Sequence, residues 1–332
     1  MKRILLIQTG GTIAMQIESD ELTEINPKTS NDIVRKSVPE ISGIAEIETT
    51  NLFTEDSSNI NPGHWKIIAN EIYQKYDEYD GFVILHGTDT MAYTASALSF
   101  CLNNLGKPIV LTGSQVPLMS IRSDARRNLI NAIEVATLNF NEVVICFNDK
   151  VYRGNRATKM SIGDFDAFSS PNYPPLAEIG LRIETKFTLP GILKPFTITP
   201  GFDNNIFVLK IFPGLQPSLL ESLLINPPHV IIIEGFGCGN FPIEAPYNLI
   251  PFMKQCLAKN IILIMRSQAD YDAVNLNKYR SGRMASELGV LGAGDMTSEA
   301  AVTKMMYLLG NHTNTDSIKR LFTRSLAGEL TE

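Results

Sequence analysis

Apolar residues in this chain come in short unbroken runs. Ile4 to Gln8, Gly81 to Leu85, Pro108 to Thr112 and Val143 to Phe147 read as strands buried on both faces. Between these runs the period lengthens. Trp65, Ile68, Ile72 and Tyr76 share one face after Asn61-Pro62, a helix start with proline in its first turn. A second helix is predicted over Ala92 to Asn103. A third carries Leu129, Ile133 and Ala136 behind Arg122-Ser-Asp124 and Arg126-Arg127, a basic cluster that suits a solvated face or a salt-bridge hub. A short helix near Asn31 to Val38 precedes Ile44 to Phe53, which alternates as a strand.

Strands alternating with helices over residues 1–190 predict a doubly wound, mainly parallel sheet. Residues 185–205 are rich in Thr, Pro and Gly and have little helical period, so the chain breaks there. The pattern then resumes with Phe207 to Phe212, His229 to Glu234 and Ile261 to Met265, and with a helix from Ser298 to Leu309 that aligns Ala301, Met305 and Leu308. At 332 residues the chain exceeds the usual size of one compact domain. The expected architecture is therefore α/β: a larger N-terminal domain over 1–190, a linker over 191–206 and a smaller C-terminal α/β domain over 207–332.

The ends of the apolar runs are where chemistry collects, because ligands of open α/β sheets sit beyond the carboxyl ends of the strands. The first run leads into Thr9-Gly10-Gly11-Thr12-Ile13-Ala14. Neither GxGxxG nor a Walker A lysine is present, so a phosphate loop is not indicated. The glycines instead allow close backbone approach and exposed N–H groups beside two hydroxyls, which makes Thr12 either a candidate nucleophile or a turn cap. Residues 15–31 are polar and without clear helical or strand period, as expected of a mobile lid after the candidate nucleophile. Thr54-Glu-Asp-Ser-Ser58 follows the alternating strand, and Asp56, Ser57 and Ser58 in that connection suit either turn chemistry or the charged ends of a zwitterion. HGTDTM, residues 86–91, follows the Gly81 run; Thr88 and Asp89 there fit a helix N-cap or a catalytic pair. Gly113-Ser114-Gln115 closes the Pro108 run. Lys159 is the single lysine of the polar segment Arg153 to Lys159.

Composition narrows the partners. The chain is 44% hydrophobic and 19% charged with a formal net charge of -6, which argues against a phosphate-backbone partner. The four cysteines (Cys101, Cys146, Cys238, Cys256) lack the spacing of a zinc site or a disulfide framework. No segment has the length of a signal-peptide core or a membrane span, so a cytoplasmic location is expected, with a small molecule as partner and neither nucleic acid nor membrane. The four histidines, at 64, 86, 229 and 312, have neither metal-ligand nor triad spacing, and no metal or cofactor is expected. Hydrolysis without these needs another activated nucleophile. A threonine hydroxyl with lysine and carboxylate neighbours can attack a carbonyl and pass through an acyl-enzyme, and Thr12, Thr88, Asp89 and Lys159 supply the parts. A lysine of pKa about 10.4 beside a carboxylate is a poor base, so Lys159 suits electrostatic support or proton relay.

Taken together, TGGTIA at 9–14 and HGTDTM at 86–91 resemble the paired signature of bacterial-type L-asparaginases, cytoplasmic type I branch. DSSNINPGHW (56–65), TGSQVPL (112–118), RGNRATK (153–159) and the tail segments GAGDMTSEAAVTKMMYLL and RSLAGELT extend the similarity over essentially the whole chain. The resemblance implies homodimers that pair into homotetramers, with sites at the subunit interface. It implies Thr12 as the acylated nucleophile, a second set of Thr88, Lys159 and Asp89, and Asp89 also on the substrate's α-ammonium. Ser57 and Ser58 would take the α-carboxylate, with Gly11, Asp56, Gly87 and Ser114 completing the binding set. It further implies a contribution from Asn240 to the partner's site and an allosteric asparagine site near Thr158.

One departure stands out. The family's lid tyrosine, about ten residues after the nucleophile, falls at Leu22, and residues 13–31 contain no tyrosine; Thr23 beside it is the nearest substitute hydroxyl. L-Asparagine hydrolysis is thus the leading expectation. An amino-acid sensor with weak turnover is kept open by Leu22. The amidase subunit of a tRNA-dependent amidotransferase is disfavoured by the acidic charge and by a chain that starts directly at the first strand.

Overall fold

The structure, a computed structural model, describes residues 1–18, 21–24, 37–186 and 194–331. The chain divides into two compact units, Met1–Pro200 and Gly201–Glu332. It is a two-domain α/β protein whose larger, mainly parallel sheet lies in the first unit.

In chain order the first unit contains β1 (Arg3–Gly10), β2 (Met15–Glu18), β3 (Glu21–Glu24), β4 (Glu46–Glu55), α1 (Pro62–Lys75), β5 (Gly81–Leu85), α2 (Met91–Cys101), β6 (Leu102–Asn103) and β7 (Ile109–Thr112). It continues with α3 (Ala125–Ala136), β8 (Val143–Phe147), β9 (Lys150–Arg153), β10 (Thr158–Lys159), β11 (Phe168–Ser169), β12 (Ala177–Ile179), β13 (Ile183–Thr185) and β14 (Thr197–Ile198). The main sheet has the order β13-β12-β9-β8-β7-β5-β1-β4. From β4 to β8 every pairing is parallel, and β9, β12 and β13 add an antiparallel edge.

Continuous burial explains the unbroken apolar runs. All five residues of β5 and of β8 are buried. Ile4 and Leu6 of β1 share one core with Leu129 and Ile133 of α3. The alternate residues of β1 face the opposite side, because side chains switch faces with period two. α1 supplies Trp65, Ile68, Ala69 and Ile72 as its buried stripe, and a buried aliphatic side chain of this kind stabilises by about 1.5–3 kcal/mol. Its start is capped by Asn61, whose side chain accepts from the Gly63 N–H while His64 Nδ1 accepts from the Asn61 N–H.

Strand order also fixes where a site can form. From β1 the chain moves outward to β4, then crosses back to β5 on the other side of β1 and continues to β7 and β8. The loops leaving β1 and β5 therefore diverge, and a crevice opens between their carboxyl ends.

The second unit contains β15 (Ile206–Lys210), β16 (Val230–Gly235), α4 (Ile250–Ala258), β17 (Ile262–Ser267), α5 (Arg280–Glu287), β18 (Leu291–Gly292), α6 (Ser298–Asn311) and α7 (Thr315–Phe322). Its four strands are parallel and lie in sequence order. Lys304 of α6 and Glu329 are both wholly buried and paired at 2.5 Å. Lys304 Nζ also donates to the carbonyls of Phe322 and Arg324, while the Glu329 carboxylate accepts from the N–H groups of Leu326 and Ala327.

Several elements differ from the sequence reading. Residues 15–24 hold an antiparallel pair, β2 with β3, in which Ile17 is in register with Leu22, whereas irregular chain was expected. Four-residue strands are too short to show a period. Residues 25–31 and most of the helix expected near Asn31 to Val38 lie outside the described residues. The segment Arg153 to Lys159 ends in β10, paired with β11, and β9 forms a hairpin with β8. Arg126 and Arg127 are ion-paired to Glu40 and Asp149.

Candidate active site

At the crevice between β1 and β5 lies a cleft of about 220 Å³ lined by Gly11, Thr12, Asp56, Ser57, Gly87, Thr88, Asp89, Gln115, Lys159 and Ile162. Its lining comes from the ends of β1, β4, β5 and β7 and from β10 and the loop after it. These strand ends pack backbone against backbone. Gly11 adopts φ +86°, and a Cβ there would lie 2.4 Å from the Gly87 nitrogen. A Cβ on Gly87 would in turn lie 2.7 Å from Ser57 Cβ and Oγ. Only residues without a side chain let the β1 and β5 turns meet at this distance. Thr9 Oγ1 ties the same two ends together by donating to the Leu85 carbonyl at 2.8 Å.

Thr88 is 7% exposed, and its proton assignment follows from its neighbours. Gln115 Nε2 donates to the carbonyls of Asp164 and Ser161 at 3.1 and 3.4 Å, so Oε1 faces Thr88 and can only accept. The Thr88 hydroxyl therefore donates to Gln115 Oε1 at 3.1 Å and accepts from Lys159 Nζ at 2.8 Å. Lys159 Nζ also donates to Asp89 Oδ1 at 2.6 Å, with the lysine side chain 15% exposed and the aspartate 63%. This is an ammonium holding a hydroxyl and a carboxylate in one array. Thr88 and Asp89 do not cap α2: the N-cap position is Thr90, whose hydroxyl donates to the Ser57 carbonyl at 2.6 Å.

Asp56 forms the cap of the short turn Ser57–Asn59, accepting from the Ser58 N–H at 2.7 Å. That hydrogen bond, with a second from the Ser58 side chain, holds the Asp56 carboxyl below its ordinary pKa and keeps it anionic at neutral pH. Ser57 is 4% exposed and lines the cleft.

Of the residues expected at the site, Gly11, Thr12, Asp56, Ser57, Gly87, Thr88, Asp89 and Lys159 share this cleft. Ser58 and Ser114 do not line it. Ser58 is exposed, and Ser114 is buried with its hydroxyl unpaired among the described residues. Thr158 lies next to Lys159 in β10, half-buried and in register with Ser169. Asn240 belongs to the second unit, where it bridges Phe236 and accepts from Ser281 Oγ at 3.0 Å. Leu22 sits in β3.

Two lining residues were not singled out in the sequence. Ile162 follows Lys159 by three positions and carries no chemical signal. Gln115 stands in the strand-end triplet beside Ser114, the residue of the triplet placed in the expected binding set. Asp124 holds Gln115 in place by accepting from its backbone N–H and that of Val116. Among the described residues no group of three or more His, Cys, Asp or Glu is arranged to hold a metal ion.

Residues 3–190 match the family described as Asparaginase, N-terminal, and residues 205–322 match the Glutaminase/Asparaginase C-terminal domain. The chain belongs to the asparaginase family. It is 40% identical to L-asparaginase 1 of Escherichia coli (strain K12), covering 99% of this chain and 98% of that protein. The crystal structure of L-asparaginase I from Vibrio cholerae has a TM-score of 0.90 to this fold at 38% identity and covers 100% of this chain and 99% of that one. A component of the glutamyl-tRNA(Gln) amidotransferase of Pyrococcus abyssi is 34% identical over 100% of this chain, but over 77% of its own length. No helix among the described residues is long and apolar enough to cross a membrane.

Proposed function

We propose that this asparaginase-family chain hydrolyses L-asparagine to L-aspartate and ammonia through a threonine acyl-enzyme. The observation that carries the reading is a small polar cleft at the switch point, holding Thr12 and Thr88 from different strand ends, with Thr88 hydrogen-bonded to Lys159. In this reading Thr12 Oγ1 attacks the side-chain amide carbon and the tetrahedral intermediate collapses. The C–N bond then breaks as the nitrogen takes a proton and leaves as ammonia. Water attacks the resulting ester, returning the Thr12 hydroxyl and releasing aspartate.

Lys159, as an ammonium, orients Thr88 and supplies positive charge where the oxyanion develops. Asp89 takes the α-ammonium group of the substrate, while Ser57 receives the α-carboxylate end, with Gly11, Asp56 and Gly87 shaping the pocket. Thr158 borders an allosteric asparagine site and Asn240 completes the site of a second copy. The chain works in the cytoplasm as a homodimer or homotetramer, with 191–206 as the linker between its domains. The family resemblance supports these finer assignments. Exposed Met160, Ile162 and Phe165 near the cleft support a covered rim.

Steady-state ammonia release from L-asparagine, with Thr12→Ala and Thr88→Val in parallel, tests the reading. Turnover lost in both variants is expected, and a sigmoidal curve would accompany the allosteric site. A parent no faster than its variants would move the function to an amino-acid sensor. Leu22→Tyr adds a check on the lid: a rise in turnover is expected if the missing phenol limits the rate, and no change means another group fills its role.

A further inference from the structure

His86 stands directly before the Gly87-Thr88 turn, yet it does not line the cleft and the mechanism above does not use it. Its ring is 1% exposed and bonded at both nitrogens. Nδ1 lies 2.7 Å from the Gly87 carbonyl oxygen, and Nε2 lies 2.8 Å from Thr94 Oγ1. Thr94 Oγ1 is itself 3.1 Å from Trp65 Nε1. Both ends of this chain have a fixed sense, since an indole N–H only donates and a carbonyl only accepts. With the buried imidazole neutral, every proton between them is assigned. Trp65 donates to Thr94, Thr94 donates to His86 Nε2, and His86 Nδ1–H donates to Gly87.

We infer that His86 is a positioning residue for the reaction: the relay Trp65–Thr94–His86 fixes the imidazole as its Nδ1–H tautomer, and that proton locks the peptide between Gly87 and Thr88. In a trans peptide the N–H opposes the C=O, so holding the Gly87 carbonyl against the ring turns the Thr88 N–H away from it and sets the entry of Thr88 into the cleft. Trp65 and Thr94 lie on α1 and α2, so two packed helices determine the orientation of a strand-end loop. The inference rests on the amidohydrolase reading for its kinetic consequence, but the tautomer and the loop geometry can be measured without it.

The side-chain amide nitrogen of asparagine occupies the place of Nδ1, whereas that of glutamine reaches the place of Nε2. His86→Asn therefore keeps the donor to Gly87, and His86→Gln loses it. A misplaced reacting group costs up to about 10²-fold, so H86Q is expected to lower kcat by roughly 10- to 100-fold with KM little changed. H86N should stay within about threefold of the parent even where its melting temperature falls as far. Equal kcat values for H86Q and H86N would overturn the inference, because a role in folding alone does not distinguish the two amides.

Should H86Q not fold, Thr94→Val and Thr94→Ser ask the same question from the far end of the relay. Valine should lower kcat and serine preserve it; equal values would overturn the inference. Nitrogen-15 spectra of the parent's histidines should show a protonated Nδ1 and a bare Nε2 for His86, and the opposite tautomer would overturn it. If the parent releases no ammonia, the amidohydrolase reading alone has failed. A crystal structure of H86Q then decides the inference, with a displaced Gly87 carbonyl expected and an unmoved one refuting it.

Discussion

Acidification should remove a calculable amount of stability from the N-terminal unit through His86. Burial is the dominant cause that pushes this imidazole down to about 4 from its ordinary 6.5, and the hydrogen bond to the Gly87 carbonyl only partly opposes it. Between those two values the unfolded chain binds a proton that the folded chain does not. Stability therefore falls as pH falls through this window, is fully present above 6.5 and loses nothing further from this group below about 4. Each pH unit inside the window is worth about 1.4 kcal/mol, so the whole window is worth roughly 3 kcal/mol.

The assay is urea unfolding at several pH values between about 7 and 4.5. Trp65 is the single tryptophan of the chain and is bonded into the same relay, so its fluorescence reports the relevant unit directly. Carboxylates titrate over the same range in the parent and in His86→Asn, so the difference between the two curves isolates the imidazole. Over that range, which stops short of the lower end of the window, the parent should lose roughly 2 kcal/mol more than the variant. Parallel curves would refute the reasoning, since they would mean that His86 is equally easy to protonate in the folded and unfolded chains.

Four further outcomes follow from the packing and the hydrogen bonds. Lys304→Met leaves the buried Glu329 carboxylate without its cation and two carbonyls without a donor, and should destabilise the C-terminal unit by about 3–5 kcal/mol in calorimetry. A double-mutant cycle with Glu329→Gln should show a coupling above about 1 kcal/mol. Gly11→Ala forces a side chain into a left-handed backbone conformation and against the Gly87 nitrogen, so kcat/KM should fall by on the order of 10²-fold, measured by ammonia release. Gln115→Leu removes the acceptor of the Thr88 hydroxyl, worth about 1 kcal/mol, and should lower kcat about fivefold with little change in melting temperature.

Long apolar runs made the parallel core legible in advance. Gly81 to Leu85 and Val143 to Phe147 coincide with β5 and β8, because strands covered on both faces cannot hide their composition. The antiparallel edge was not legible: β12 and β13 span three residues each, too few for a period to declare itself. At the site, the residues of the two short signature motifs were readable because they sit at strand ends, where a polar residue has no packing reason to be. Gln115 was missed because its role depends on the direction of its amide, set by the carbonyls of Ser161 and Asp164 far along the chain. The role inferred for His86 was invisible for the same reason, since its partners Thr94 and Trp65 stand on two helices whose packing no local pattern records.

The order of strands has a kinetic consequence. Thr12, Ser57, Thr88, Gln115 and Lys159 meet only after β4 and β5 have both paired with β1 and β7 has joined β5, all through parallel crossovers. Such pairings demand long loop closures before any contact rewards them, so they form late and slowly. Gln115 and Lys159 complete the lining only once β7 and β10 are in place. During refolding, helical signal should therefore return well ahead of ammonia release, and catalysis would time the closing of the last parallel strand.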